Sequence, residues 1–282
     1  MTSELLYIYN IINMRTLAYA KLNLCLSVLG VKDGRHVIDS VFYPAPIFDE
    51  IYAERADELT VEYTDGRVYE RDTAVLAGRA VTDGYKAGGA RIVIKKNIPE
   101  GAGLGGSSAD AGAVARILRE LYSLPDVDEK ILSSVGSDVP YFYRGGCARV
   151  SGTGEIVQKI DLPKLYTVAV VPKGGVNTGE CYRLYDEIGG ESGDADAFIE
   201  RLKKGENPQP FNALARAAVM LNESTGEALK LVKRAGFAGG ITGSGSAAFG
   251  METDKAKFAF NLKKLIEYAP PSVAVYYEKE QR

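Results

Sequence analysis

Between Gly101 and Asp110 the chain reads Gly-Ala-Gly-Leu-Gly-Gly-Ser-Ser-Ala-Asp, and no other run constrains the fold as much. Glycines allow positive φ and a close approach of backbone to a ligand. From Ser107 to Tyr122 the residues Ala111, Val114, Ala115, Leu118 and Tyr122 recur at helical spacing, which predicts an amphipathic helix. Ser107 or Ser108 is a candidate cap for it. A glycine loop that opens into a helix gathers unpaired N–H groups and the positive end of the helix dipole at one place. That combination suits a polyphosphate. Gly101, Gly103 and Gly106 fit G-x-G-x-x-G, but Gly-Lys-Ser/Thr is missing, so this is not a Walker A loop. Taken alone, the loop is explained equally well by a glycine turn before an ordinary helix.

A second loop adds weight. Gly239-Gly240-Ile241-Thr242-Gly243-Ser244-Gly245-Ser246 is also rich in glycine and hydroxyls. Two such loops suggest two walls of one phosphate-binding cleft. Moving a phosphoryl group to an alcohol then needs charge stabilisation and a group to take the hydroxyl proton. Asp138, in Gly136-Ser137-Asp138-Val139-Pro140, is a candidate base, and Lys21, a charge inside an apolar strand pattern, is a candidate cation. A nearby cation keeps a carboxylate ionised. Each residue also has a plain reading, Lys21 as an exposed strand lysine and Asp138 as a turn or capping aspartate.

The rest of the chain bounds these readings. It has 282 residues, 46% hydrophobic and 25% charged, with a net charge of −3. This is ordinary globular composition for one large or two smaller domains. No basic stripe marks a nucleic-acid partner, and no apolar stretch reaches transmembrane length. Residues 1–13 lack the pattern of a signal peptide; they are expected to be an extension, with Met14 as an alternative start. Cys25, Cys147 and Cys181 form no metal or disulfide pattern and read as reduced, buried thiols. With one histidine, His36, a multi-histidine metal site is excluded.

Strand patterns are expected at Leu17–Leu29, Val37–Ile47, Arg91–Ile94, Val139–Tyr143, Cys147–Val150, Thr167–Val171, Ala247–Met251 and Val273–Tyr277. A hairpin of Leu59–Tyr63 and Val68–Tyr69 is expected about Asp65-Gly66. Helices are expected at Thr73–Tyr85, Glu180–Glu187, Ala195–Lys203, Phe211–Leu221, Thr225–Ala235 and Lys255–Ile266, with a linker near Pro163. Without regular βαβ alternation the class is α+β.

With these residues in place, the chain resembles the GHMP kinases. Ala18-Tyr19-Ala20-Lys21-Leu22-Asn23-Leu24, Asp33-Gly34-Arg35-His36, the stretch from Ile98-Pro99 to Asp110, Gly136–Pro140 followed by Gly145-Gly146-Cys147-Ala148, and Thr242–Gly245 are similar to family motifs in the family's order. The branch it most resembles phosphorylates 4-diphosphocytidyl-2-C-methyl-D-erythritol in non-mevalonate isoprenoid biosynthesis. The family's other alcohols, homoserine, mevalonate and sugars, are the alternatives, as is a non-catalytic nucleotide-binding paralogue.

The resemblance implies a cytoplasmic kinase, monomeric or homodimeric, using ATP and Mg²⁺. It implies an N-terminal domain over 1–160, like the second domain of ribosomal protein S5. A ferredoxin-like C-terminal domain would cover 161–282. It implies Lys21 and Asp138 as the catalytic pair. Pro99, Gly101, Gly103, Leu104, Gly105, Gly106, Ser107 and Ser108 would hold ATP, with Ser108 also toward Mg²⁺. Asn23, His36, Tyr182, Gly243 and Ser244 would hold the alcohol, with His36 on the cytosine and Tyr182 stacked against it. The sequence departs from that branch at Arg35, where tyrosine is usual, and at Tyr19, where proline is usual. Asp72 stands near an asparagine of the family, and Asn212-Ala213-Leu214-Ala215 keeps part of an Asn-Asp-Leu-Glu run.

Overall fold

The computed structural model describes residues 14–278; the expected extension at 1–13 lies outside the described residues. Mixed strands and helices without βαβ alternation give an α+β chain. It divides into two compact units. Unit 1 takes its described residues from 14–19, Phe48–Ile98 and Gly106–Gly145; unit 2 takes Ala20–Ile47, Pro99–Gly105 and the chain from Gly146. The units interleave along the sequence, and the two long strands, β1 (Met14–Lys32) and β2 (Arg35–Ala56), contribute residues to both. The division at residue 160 is a different partition, inside unit 2.

In unit 1, the end of β2 pairs antiparallel with β4 (Gly89–Lys95), and β3 (Thr60–Tyr63) runs parallel to β4. Helix α1 (Thr73–Tyr85) starts because the Asp72 carboxylate accepts the N–H groups of Ala74 and Val75. It packs on α2 (Gly106–Leu121), which in turn packs on α4 (Val139–Arg144), with α3 (Glu129–Val135) alongside. Small residues let α2 lie close: a Cβ on Gly112 would come within 2.7 Å of the Phe142 carbonyl carbon. The expected strand at Val139–Tyr143 is therefore a helix. Pro140 sits in its first turn, where a missing N–H costs nothing. The expected hairpin is also absent. Gly66 closes the turn onto the Tyr63 carbonyl at 3.0 Å, but Val68 is 90% exposed and pairs with no strand.

Unit 1 also buries a charge cluster. The Lys96 ammonium bridges the carboxylates of Asp49 and Asp110, 2.5 Å from the latter, with all three side chains almost inaccessible. Asp49 also accepts the N–H of Ile98 at 2.8 Å, just before the glycine loop. Burial outweighs the lysine and pushes the Asp110 carboxyl up to about 8.

In unit 2, the start of β2 pairs antiparallel with β5 (Ala148–Gly152), which pairs with β6 (Ile156–Lys159); β8 (Phe211–Asn212) lies parallel to β1. A second sheet has the order β11-β7-β10-β9, all antiparallel, from β7 (Tyr166–Pro172), β9 (Ala238–Ile241), β10 (Ala248–Glu252) and β11 (Val273–Tyr277). Helix α8 (Glu223–Ala235) precedes β9, and α9 (Lys255–Tyr268) follows β10. Both cover this sheet through Val168, Val170, Val232, Phe237, Phe258 and Leu265. This is the ferredoxin-like arrangement. Between β7 and α8 lie α5 (Thr178–Ile188), α6 (Ala195–Lys203), β8 and α7 (Ala215–Leu221). The expected single helix over Phe211–Leu221 is thus a short strand, a turn and a shorter helix. Asn212 is the reason: its carboxamide oxygen accepts the Leu214 N–H at 2.8 Å, which turns the chain before α7 begins. The three cysteines are free, and burial raises their thiols, Cys25 and Cys147 to about 12 and Cys181 to about 11.

Glu50 offers a test of the packing of unit 1. Burial alone would raise its carboxyl, but hydrogen bonds from Lys95, Tyr52 and Arg15 outweigh that and hold it at about 2. A depressed carboxyl stabilises the fold above its unfolded value of 4.5 and loses that stabilisation as pH falls toward 2. Glu50→Gln is expected to lower the unfolding free energy by about 1–3 kcal/mol at pH 7. In urea titrations the deficit should shrink steadily below the unfolded carboxyl value.

Candidate functional site

Lys21 is not an exposed strand lysine. It is 5% exposed, and its ammonium donates to the Gly103 carbonyl at 2.8 Å and to Asn23 Oδ1, with the Phe42 ring 5.1 Å away. Its own backbone N–H donates to the Leu104 carbonyl at 3.0 Å. Residues 21 and 23 point the same way because strand side chains alternate. Asn23 is 3% exposed and donates through Nδ2 to Ser40 Oγ at 2.9 Å. Thr242 closes the cluster. Its hydroxyl accepts the Asn23 N–H at 3.0 Å and lies 3.2 Å from Asn23 Oδ1 and 3.3 Å from the Gly103 carbonyl.

The glycine loop is held by its carbonyls. Gly101 accepts the N–H groups of Val176 and Ser246 at 2.9 and 3.0 Å, and Ala102 accepts that of Ala247 at 3.1 Å. With Gly103 and Leu104 also accepting, the oxygen side of the loop is spent on the protein. Among the described residues, the N–H groups of Gly103, Leu104 and Gly105 have no hydrogen-bond acceptor. Gly103 has φ of +72°, and a Cβ there would stand 2.1 Å from the Thr242 carbonyl oxygen. Only glycine fits. A row of backbone donors with no acceptor in the protein suits an anion such as a phosphate chain.

In unit 1, Gly106 begins α2, so Ser107 and Ser108 lie in its first turn rather than capping it, and no acidic residue stands there to oppose an anion. Thr73 donates its hydroxyl to the Ser107 carbonyl at 2.9 Å. Pro99 is half-buried at the start of the loop. Asp138 lies in unit 1, in the turn immediately before α4, and its carboxylate makes no capping hydrogen bond to that helix. Among the described residues no group of three or more histidines, cysteines or carboxylates could hold a metal ion.

The second loop meets the cluster in unit 2. A Cβ on Gly243 would lie 3.0 Å from both the Lys21 ammonium and the Gly103 carbonyl. Ser244 is 4% exposed, with its hydroxyl 2.9 Å from that of Thr178. Asn212 supports the loop from behind, donating to the carbonyls of Ile241 and Gly243, each at 2.8 Å. The sequence marked Asn212 only as part of a motif; nothing in its spacing to residue 243 shows this support. Lys21, Asn23, Gly103 and Gly243 thus form one cluster. His36 and Tyr182 form another, with ring centroids 4.4 Å apart and planes at 24°.

Residues 72–146 match the family described as GHMP kinases N terminal domain. The 4-diphosphocytidyl-2-C-methyl-D-erythritol kinase of Deinococcus radiodurans is 37% identical over 252 residues, covering 85% of this chain and 84% of that one. The chain belongs to the GHMP kinase family. Another GHMP relative of the same name, from Thermus thermophilus, is 36% identical over 251 residues, covering 84% and 87%. Among solved GHMP structures, 4-(cytidine 5'-diphospho)-2C-methyl-D-erythritol kinase matches with a TM-score of 0.77 at 31% identity, over 93% of this chain and 98% of that one. Homoserine kinase from Cytophaga hutchinsonii, at 17% identity and a TM-score of 0.66, shares the GHMP kinase fold.

Gly103 and Gly34 separate the two demands a glycine can meet. Both have positive φ, but a Cβ on Gly34 has nothing within 4 Å. Gly34→Ala should cost about 1–2 kcal/mol of backbone strain. Gly103→Ala adds a backbone clash and should cost at least twice that in urea unfolding, with a larger loss of ATP affinity.

Proposed function

We propose that this chain transfers the γ-phosphoryl group of ATP to a hydroxyl of 4-diphosphocytidyl-2-C-methyl-D-erythritol, a step of non-mevalonate isoprenoid precursor biosynthesis. The observation that carries the reading is the identity to kinases of that name across more than four-fifths of the chain. The donors of Gly103–Gly105 and the start of α2 suit the phosphates of ATP. Mg²⁺ would neutralise phosphate charge, with Ser108 as its one candidate protein ligand. The buried Lys21 ammonium would steady the charge that develops on the phosphoryl oxygens. Asp138 is the base: it takes the hydroxyl proton as the alcohol oxygen forms its bond to phosphorus. The bond from the γ-phosphorus to the bridging oxygen breaks, and ADP leaves.

Asn23, Gly243 and Ser244 would line the alcohol's path to Lys21. His36 and Tyr182 would receive the cytosine, His36 by hydrogen bonding and Tyr182 by stacking. Residues 1–160 and 161–282 would be the family's two domains, working as a monomer or homodimer in the cytoplasm.

The test is ADP release with this alcohol and Mg²⁺. Asp138→Asn is expected to lower kcat by about 10²–10⁴, and Lys21→Met by a similar factor, with ATP affinity kept in Asp138→Asn. CMP and CDP should compete with the alcohol. Tight ATP binding without turnover, and no competition by CMP, would send the assignment to another alcohol of the family.

A further inference from the structure

The single histidine of the chain is gripped on three sides by one helix. His36 opens β2 just after the turn at Asp33-Gly34. Its face lies on Tyr182, and its ring meets Tyr185 edge-on at 6.3 Å and 79°. Its Nε2 is 2.7 Å from Asp186 Oδ1. Tyr182, Tyr185 and Asp186 stand at i, i+3 and i+4 of α5, the spacing that puts them on one face. Face, edge and one nitrogen of the imidazole are thereby fixed. The other nitrogen, Nδ1, has no hydrogen-bond partner among the described residues.

We propose that Asp186 is a positioning residue for base recognition: it fixes His36 as the Nε2–H tautomer, so that Nδ1 is an acceptor for the exocyclic amine of cytosine. A carboxylate only accepts, so the proton of the neutral imidazole stands on Nε2 and the lone pair on Nδ1. Cytosine presents an amine donor beside an acceptor ring nitrogen. Uracil presents a carbonyl acceptor beside an N–H donor. An acceptor at Nδ1 pairs with the first and repels the second, because two acceptors then face each other. Asp186 is itself half-exposed, and in this role its carboxylate acts through the imidazole. The proposal rests on the reading that the cytidine end of the alcohol lies at His36.

One histidine gives one imidazole signal, so long-range ¹H–¹⁵N correlation on ¹⁵N-labelled protein at pH 8.5 reports its tautomer directly. The expected result is a protonated Nε2 in the full-length protein and averaged nitrogen shifts in Asp186→Ala. That variant should raise KM for the cytidyl alcohol about tenfold, leaving kcat and the KM for ATP within about twofold. Asp186→Glu should restore part of both. CMP should move the His36 signal of the unsubstituted protein, and UMP should not. A proton on Nδ1, or an Asp186→Ala variant with unchanged nitrogen shifts and unchanged KM, overturns the proposal. A tautomer that depends on Asp186 while CMP leaves the signal in place overturns the cytosine reading beneath it, and with it the role in base recognition.

Discussion

The burial of one ammonium group organises the candidate site. A lysine charge taken out of water is costly unless hydrogen-bonded acceptors replace its hydration. Lys21 meets that demand partly with the Gly103 carbonyl and Asn23 Oδ1. Each of those acceptors is fixed by something else. Gly103 belongs to the loop held by Val176, Ser246 and Ala247, and Asn23 is tied to Ser40 and Thr242. The lysine is therefore held at one position in unit 2 by a network that spans β1, the glycine loop and the loop after β9.

The same network explains which side of the glycine loop is offered to a ligand. Four successive carbonyls, from Gly101 to Leu104, accept hydrogen bonds from the protein. A peptide unit whose oxygen is anchored points its N–H the other way. The donors of Gly103 to Gly105 are thus set without any side chain holding them. That also accounts for the intolerance at Gly103, where the Thr242 carbonyl occupies the space of a Cβ. The site is built from backbone, and the side chains around it fix that backbone.

Much of this was legible in the sequence because it depends on local rules. Positive φ at Gly101, Gly103 and Gly105 follows from residue type, and α2 follows from its apolar spacing. The second sheet was foreseen at β7, β10 and β11, each a short apolar run, while β9 was lost among glycines that gave it no pattern. Val139–Tyr143 misled because its run of apolar residues has no polar member to betray a period. It is buried on every side against α2, where helix and strand patterns look alike. Val68–Tyr69 misled differently: the turn at Gly66 forms, but the chain after it does not return along β3, whose described pairing is with β4 alone. The support that Asn212 gives to the second loop and the contact of Asp186 with His36 were not legible. They join residues far apart in sequence, and no local period encodes them.

Polar atoms are treated alike in both described parts of the site in unit 2. Around Lys21, each acceptor is used to fix a donor, and the donors left over are backbone N–H groups of the loop. Around His36, Asp186 uses one nitrogen and leaves the other. In both places the protein satisfies one half of a group and leaves the other half without a partner among the described residues: backbone donors in the loop, one ring nitrogen on His36. Such an arrangement needs rigid supports. For His36 these are the Tyr182 face and the register of α5, whose N-terminus is capped by Asn177 at 3.0 Å. A helix displaced by one residue would carry Glu187 or Tyr185 to the position of Asp186, and the histidine would lose either its geometry or its acceptor. The cap and the stacked ring therefore bear on the base recognition proposed for His36 as directly as the carboxylate does.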